Sequence, residues 1–280
     1  MLSDQQIDHF RTFGFVVLRR YLSERETADL GVEMDRAHRD AFGARFDERP
    51  DEGGMPGHYL PMMSRERTPL SLGLVEDPRF LGAARQLVGA AVLPTYAEGV
   101  LLFDQAGFHD DAGPGVKAVK FVAYLEPLIA ATGALRLLPG SHHQDFSARV
   151  RAWDRRNPVE DAEHLRRQID GLPLYVAETQ PGDVIAFDWH TWHTSIRGRD
   201  RRQWRVSYVR DPATAEEVER FKDIVIDGDL ALLGDEPGYD RPAYPLYDEH
   251  WLTPDPAQTE RVALSSRMRE LGMFQPLERT

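Results

Sequence analysis

Apolar residues recur with two different periods, and the change comes at about residue 92. Before it, they follow the three- and four-residue spacing of amphipathic helices. Two of these segments begin with a capping box, Ser3 with Gln6 and Ser23 with Glu26, in which each side chain can bond the other's backbone N–H. The pattern therefore predicts helices that start at these two serines, the second reaching about residue 41, a short strand over 14–18 and a further helix over 78–89.

After residue 92 the apolar runs become short, rich in β-branched and aromatic residues, and separated by Gly, Pro and Asp. Helices followed by many short strands predict a mainly β fold with flanking helices, in the form of an antiparallel sandwich or barrel. A charged, helix-like excursion at about 143–170 interrupts the strands, and we expect it at the rim of the barrel. A C-terminal extension begins at about 211. Since no linker is evident, we interpret 1–280 as one domain.

Composition narrows the function classes. The net charge of −12 argues against a nucleic-acid partner and against docking on anionic lipid, both of which need basic surface. The chain has no cysteine, so thiolate metal sites and disulfides are excluded. It also has no apolar run of membrane-spanning length and no signal-peptide pattern at its N-terminus. We therefore expect a soluble, cytoplasmic protein that acts on a small molecule; its oligomeric state is left open.

The sequence FHDDAG, residues 108–113, is the first candidate for a metal site. Residues two apart on an extended segment point to the same side, so His109 and Asp111 can reach one ion, whereas Asp110 points away. A further ligand has to come from a distant segment. The best candidate is PGDVIAFDWHTWHTSIRG, residues 181–198, which offers both His190 and His193.

Two imidazoles and one carboxylate are the ligand set of non-haem Fe(II) oxygenases, in which open positions remain for a co-substrate and dioxygen. Zinc accepts the same donors. The residues alone thus leave three classes: an iron oxygenase, a zinc or manganese cupin-type hydrolase or isomerase that does not use 2-oxoglutarate, and a binding protein without chemistry.

A dicarboxylate co-substrate such as 2-oxoglutarate needs a cation and a hydroxyl for its distal carboxylate. Arg205, at the start of an alternating strand, and Ser195, two residues after His193, meet this need. Three arginines between Ser195 and Arg205, at 199, 201 and 202, are interpreted as parts of a solvated turn. Lys120, like Lys117, is a further candidate to contact a carboxylate inside the barrel, against the commoner role of a strand-edge lysine.

The motifs together resemble the phytanoyl-CoA dioxygenase family of Fe(II)- and 2-oxoglutarate-dependent oxygenases. The resemblance extends from the N-terminus to about residue 210. It is carried by LSDQQIDHFRTFGFVVLRRYLSERETADL at the start, FHDD, TGALRLLPGSHH over 132–143 and PGDVIAFDWHTWHTS. It implies a double-stranded β-helix, a cupin-like jelly-roll barrel, with ferrous iron held by His109, Asp111 and His193. It also implies that Ser195 and Arg205 bind 2-oxoglutarate.

The same resemblance implies the reaction. Dioxygen would oxidise an unactivated C–H bond of a small molecule, by hydroxylation, oxidative cyclisation or desaturation, while 2-oxoglutarate is converted to succinate and carbon dioxide. Relatives of this family act in secondary metabolism, so biosynthesis of an antibiotic or a similar product is expected. Because the protein is acidic, an amino sugar of the aminoglycoside kind, or another cationic molecule, is the favoured substrate.

Overall fold

Both predicted capping boxes are present in the structure, a computed structural model that describes residues 1–47, 57–111, 115–223 and 239–273. The hydroxyl of Ser3 accepts the N–H of Gln6 at the start of α1 (Asp4–Phe13). The Ser23 hydroxyl likewise accepts the N–H of Glu26 at the start of α2 (Glu24–Phe42). The predicted helix at 78–89 is confirmed as α4 (Pro78–Val88), which ends at Gly89 in the left-handed region.

The remaining elements of the described residues follow in chain order. The other helices are α3 (Pro69–Val75), α5 (Gln144–Arg156), α6 (Ala162–Asp170), α7 (Ala215–Lys222), α8 (Glu249–Leu252) and α9 (Thr259–Glu270), with a 3-10 helix at Gly43–Asp47. The strands are β1 (Phe15–Leu18), β2 (Gly57–Pro61), β3 (Val92–Pro94), β4 (Glu98–Leu102), β5 (Ala106–His109), β6 (Ala118–Tyr124), β7 (Leu135–Leu137), β8 (Tyr175–Ala177), β9 (Val184–Asp188), β10 (His193–Ser195) and β11 (Arg201–Arg210).

The strands form two antiparallel sheets. The larger has the order β1-β9-β6-β11-β4-β2, with β3 pairing the end of β11, and the smaller has the order β5-β10-β7-β8. Strands that are distant in sequence alternate within each sheet, as in a jelly roll. The predicted fold class, a mainly β double-stranded β-helix with flanking helices, is confirmed.

Side-chain alternation on β6 and β11 gives the large sheet two apolar faces. On the outer face, Phe121 and Trp204 pack edge-on against Phe80 of α4. On the inner face, Val122 and Tyr124 pack with Leu135 of the small sheet. Since residues of β11 alternate in the same way, Gln203 and Arg205 face the barrel interior and Arg202 faces outward.

The helices α5 and α6 lie where the sequence predicts a helical excursion. Together with Phe108 and Trp192 they form a separate apolar cluster on the outer side of the small sheet. Phe108 precedes His109 and Trp192 precedes His193, so the excursion packs directly behind both histidines. No helix in the described ranges combines the length and hydropathy that crossing a membrane requires.

Candidate metal centre

The structure brings His109, Asp111 and His193 together, with one donor atom of each within 4.8 Å of the others. The antiparallel strands β5 and β10 are adjacent, and their register sets His109 opposite His193. The two ring centroids are 4.4 Å apart. Asp111 follows β5 by two residues, and its backbone N–H donates to the carbonyl of Trp189 at 2.8 Å, which holds the carboxylate beside the rings.

Each histidine ring is oriented by the backbone carbonyl two residues before it in the chain. Nδ1 of His109 donates to the carbonyl of Gly107, and Nδ1 of His193 to that of Thr191, both at 2.8 Å. A carbonyl only accepts, so the proton lies on Nδ1 and the lone pair on Nε2. Both Nε2 atoms face the Asp111 carboxylate at 3.7 Å. This is the arrangement in which backbone contacts fix the tautomer of a metal-binding histidine.

The charge states also suit a cation. Burial, and the neighbouring His109, lower the pKa of His193 to about 3, so its imidazole is neutral at physiological pH. Burial alone would raise the pKa of Asp111, but Lys120, His193 and His109 hold it well below its usual range. Two imidazoles and one carboxylate thus converge on one point, and they fit Fe(II) as well as Zn²⁺.

Three other histidines near these segments lie outside the cluster. Asp188 accepts a hydrogen bond from Nδ1 of His190 at 3.0 Å, outside the cluster. The side chains of His142 and His143 reach the carbonyls of Arg11 and Thr12 at the end of α1. His143 occupies the N-cap position of α5 without a side-chain hydrogen bond to that helix.

The cavity next to the three residues also contains the predicted co-substrate residues. Ser195 is on the same face of β10 as His193, and Arg205 projects from β11. The lining residues are Tyr59, Leu102, Ala106, His109, Asp111, Lys120, Val122, Tyr124, Leu135, Phe187, His193, Ser195, Gln203 and Arg205.

Arg205 is not free in this cavity. Its Nε donates to Glu98 Oε2 at 2.6 Å, and its guanidinium carbon lies 5.4 Å from the centroid of the Tyr59 ring. Glu98 and Tyr59 were not predicted from the sequence. They lie on β4 and β2, and the β2 segment gave no recognisable strand signal.

Two arginines interpreted as a solvated turn are placed differently. Arg201 is fully buried and donates to the carbonyls of Gly133 and Asp104, tying two loops together. Arg202 is partly buried on the outer face and pairs with Glu126 and Asp35. Neither conclusion could be drawn from charge alone, since each depends on which face of β11 the residue occupies.

Lys120 is inside the barrel, not at a strand edge. Its Nζ donates to Asp111 Oδ2 at 2.8 Å, and it lies 5.9 Å from the centroids of the Phe187 and Trp189 rings. Lys120 therefore contacts the carboxylate of the candidate metal centre itself. Lys117 is placed outside this cavity, beside Val209 and Glu217.

Asp110 is turned away from the cluster, as predicted, but it is not a solvated turn carboxylate. Its side chain is 9% exposed and accepts a hydrogen bond from Arg151 of α5 at 2.6 Å. Arg151 also lies over the Trp192 ring, 5.7 Å from its centroid. The excursion is thus tied to the residue between the candidate ligands His109 and Asp111.

Replacing Arg151 tests this connection. In R151M, Asp110 is left buried without its cation, and we expect the free energy of unfolding to fall by about 1–2 kcal/mol, because Arg151 itself is 39% exposed and its pair is partly screened. Burial already raises the pKa of Asp110. Stability tied to a raised carboxyl pKa is lost as pH rises, so the deficit should be larger at about pH 8 than at about pH 5.

Thermal unfolding at the two pH values measures this effect, and R149M provides a control on the exposed face of the same helix. Equal stability losses in R151M and R149M would contradict a specific role for the Asp110 pair.

Comparison with known proteins identifies the family. The profile described as phytanoyl-CoA dioxygenase (PhyH) matches residues 10–203. The chain belongs to this family. It is 28% identical over 219 residues to the ectoine dioxygenase of Bordetella parapertussis, a match that covers 69% of this chain and 70% of that protein.

Solved structures agree in fold. HygX from Streptomyces hygroscopicus, crystallised with nickel and 2-oxoglutarate, has a TM-score of 0.58 at 18% identity and covers 77% of this chain and 94% of its own. SnoK, a non-haem α-ketoglutarate-dependent carbocyclase of nogalamycin biosynthesis, has a TM-score of 0.56 at 22% identity, with 76% and 86% covered. Membership confirms the enzyme class inferred from the motifs, an iron- and 2-oxoglutarate-dependent oxygenase.

Proposed function

We propose that His109, Asp111 and His193 hold Fe(II) in this enzyme and that Ser195 and Arg205 bind the distal carboxylate of 2-oxoglutarate. One observation carries this assignment: the three candidate ligands, the serine and the arginine line the same cavity. Bound iron supplies dioxygen activation, and 2-oxoglutarate supplies two of the four electrons that dioxygen takes up, the substrate C–H bond supplying the other two. The zinc or manganese hydrolase and isomerase alternative is not favoured.

The protein's own residues bind, orient and exclude water. Lys120 bonds one oxygen of Asp111, which fixes the carboxylate plane, and the backbone bonds at Nδ1 fix both rings. Buried apolar side chains of the cavity, Val122, Leu135 and Phe187, keep water from the co-substrate. Lys120 also lines the cavity, and we include it among the residues that contact 2-oxoglutarate.

For the substrate we propose a small molecule of secondary metabolism. The relatives in sequence are named ectoine dioxygenases. The proteins of similar structure include a carbocyclase and an epimerase of nogalamycin biosynthesis. These names support oxidation at a C–H bond, by hydroxylation, cyclisation or desaturation. The acidic composition favours a cationic substrate such as an amino sugar, and we propose action in the cytoplasm without a nucleic-acid or membrane partner.

A metal-exchange assay tests the proposal. The purified protein, stripped of metal and reloaded anaerobically with Fe(II), should bind 2-oxoglutarate and, once dioxygen is admitted, form succinate and consume oxygen slowly even without substrate. Zinc-loaded protein should form no succinate and consume no oxygen, because zinc is redox-inactive. Turnover by the zinc form, independent of dioxygen and 2-oxoglutarate, would instead establish the hydrolase or isomerase alternative.

A further inference from the structure

The ion pair between Glu98 and Arg205 places a second carboxylate at the site proposed for the co-substrate. The two residues are directly opposite each other on the adjacent antiparallel strands β4 and β11. Their side chains are 10% and 18% exposed, and the Nε–Oε2 distance is 2.6 Å. Arg205 lines the cavity, and Glu98 lies buried beside it on the adjacent strand, so the pair is not on the protein surface.

Glu98 uses only one part of the guanidinium. Within the described residues, Arg205 has no hydrogen-bond acceptor other than Glu98, which takes the Nε hydrogen. The terminal nitrogens therefore remain for a ligand, and Tyr59 restrains the plane of the group from its face. A carboxylate that binds at the terminal nitrogens has to share one positive charge with Glu98, at close range and in a poorly hydrated space.

We propose that Glu98 is a built-in counter-carboxylate that weakens the binding of 2-oxoglutarate and succinate at Arg205. This inference rests on the proposed function of Arg205. Without a ligand, Glu98 neutralises the charge of Arg205, which would destabilise the folded protein if it were buried without a partner. With a ligand, it repels the distal carboxylate. Since succinate keeps that carboxylate after the reaction, the same repulsion promotes release of the product.

Removing the charge of Glu98 should therefore tighten binding. In E98Q the amide oxygen can still accept from Nε, so the arginine stays in place while the repulsion disappears. We expect the affinity for both 2-oxoglutarate and succinate to rise about tenfold, the size typical of one partly screened charge interaction. The ligand-free variant should melt at a lower temperature than the wild type, and 2-oxoglutarate should raise its melting temperature by a larger increment.

Anaerobic calorimetry of the Fe(II)-loaded proteins measures these affinities directly. E126Q is the matched control, because it removes a carboxylate that pairs with Arg202, which is on the outer face of β11. Its affinity for 2-oxoglutarate should equal that of the wild type. The ligand control is 2-oxobutyrate, which lacks the distal carboxylate and should bind both E98Q and the wild type equally. E98L removes the same charge and should also tighten 2-oxoglutarate binding. It is the second variant to measure if E98Q does not fold.

The outcomes separate the two proposals. A folded E98Q or E98L that binds 2-oxoglutarate no more tightly than the wild type overturns the role of Glu98. Equal tightening for 2-oxobutyrate, or in E126Q, overturns it as well, because the effect would then not be local to the distal carboxylate. A wild-type protein that binds Fe(II) but no 2-oxoglutarate contradicts the proposed function itself.

Discussion

The variant D111A should lose iron binding and, with it, succinate formation. Asp111 is the one carboxylate of the three-residue cluster, and it supplies the negative charge that the two imidazole ligands do not carry. Loss of residues that only support a ligand costs 10–100-fold in metal affinity, so we expect loss of the ligand itself to cost more than about 100-fold. Metal content after anaerobic loading and succinate production from 2-oxoglutarate are the two measurements.

D110N is the matched control for this variant. Its side chain points away from the cluster toward Arg151, so the protein should still take up one equivalent of iron. Because D111A also leaves Lys120 without its carboxylate, a circular-dichroism melt has to show that the variant is folded. Full succinate production by a folded D111A would show that the ligand set is assigned wrongly.

The second large effect is expected for R205M, in which the KM for 2-oxoglutarate should rise about 100-fold. Truncating one partner of a buried charge pair costs about 2–5 kcal/mol, and 1.4 kcal/mol corresponds to a factor of ten. The kcat at saturating 2-oxoglutarate should fall much less, since Arg205 is on β11 and the three candidate ligands are not. Initial rates of succinate formation over a range of 2-oxoglutarate concentrations give both constants.

Two further variants test whether the rise in KM comes from the loss of Arg205 itself. R202Q changes an arginine on the outer face of the same strand and should keep the wild-type KM. The double variant E98M/R205M removes both charges of the pair, so no carboxylate is left buried alone, and its KM should stay high. A normal KM in R205M would move the co-substrate site to another cation of the cavity, with Lys120 the nearest to the cluster.

The sequence by itself determined the features that depend on near neighbours. The capping boxes at Ser3 and Ser23 and the stop at Gly89 are local signals, because each consists of contacts within a few residues. The His109 and Asp111 pair could be proposed for the same reason, since spacing on an extended segment sets the direction of both side chains. The choice of His193 over His190 came from resemblance to the family.

Only the tertiary structure decided which distant groups meet. The register of β5 against β10 sets His109 opposite His193, and that of β4 against β11 sets Glu98 opposite Arg205. No local pattern encodes such a register, because pairing between distant strands depends on the packing of the whole barrel. For the same reason, neither the buried position of Arg201 nor the pairing of Asp110 with Arg151 could be predicted from the sequence.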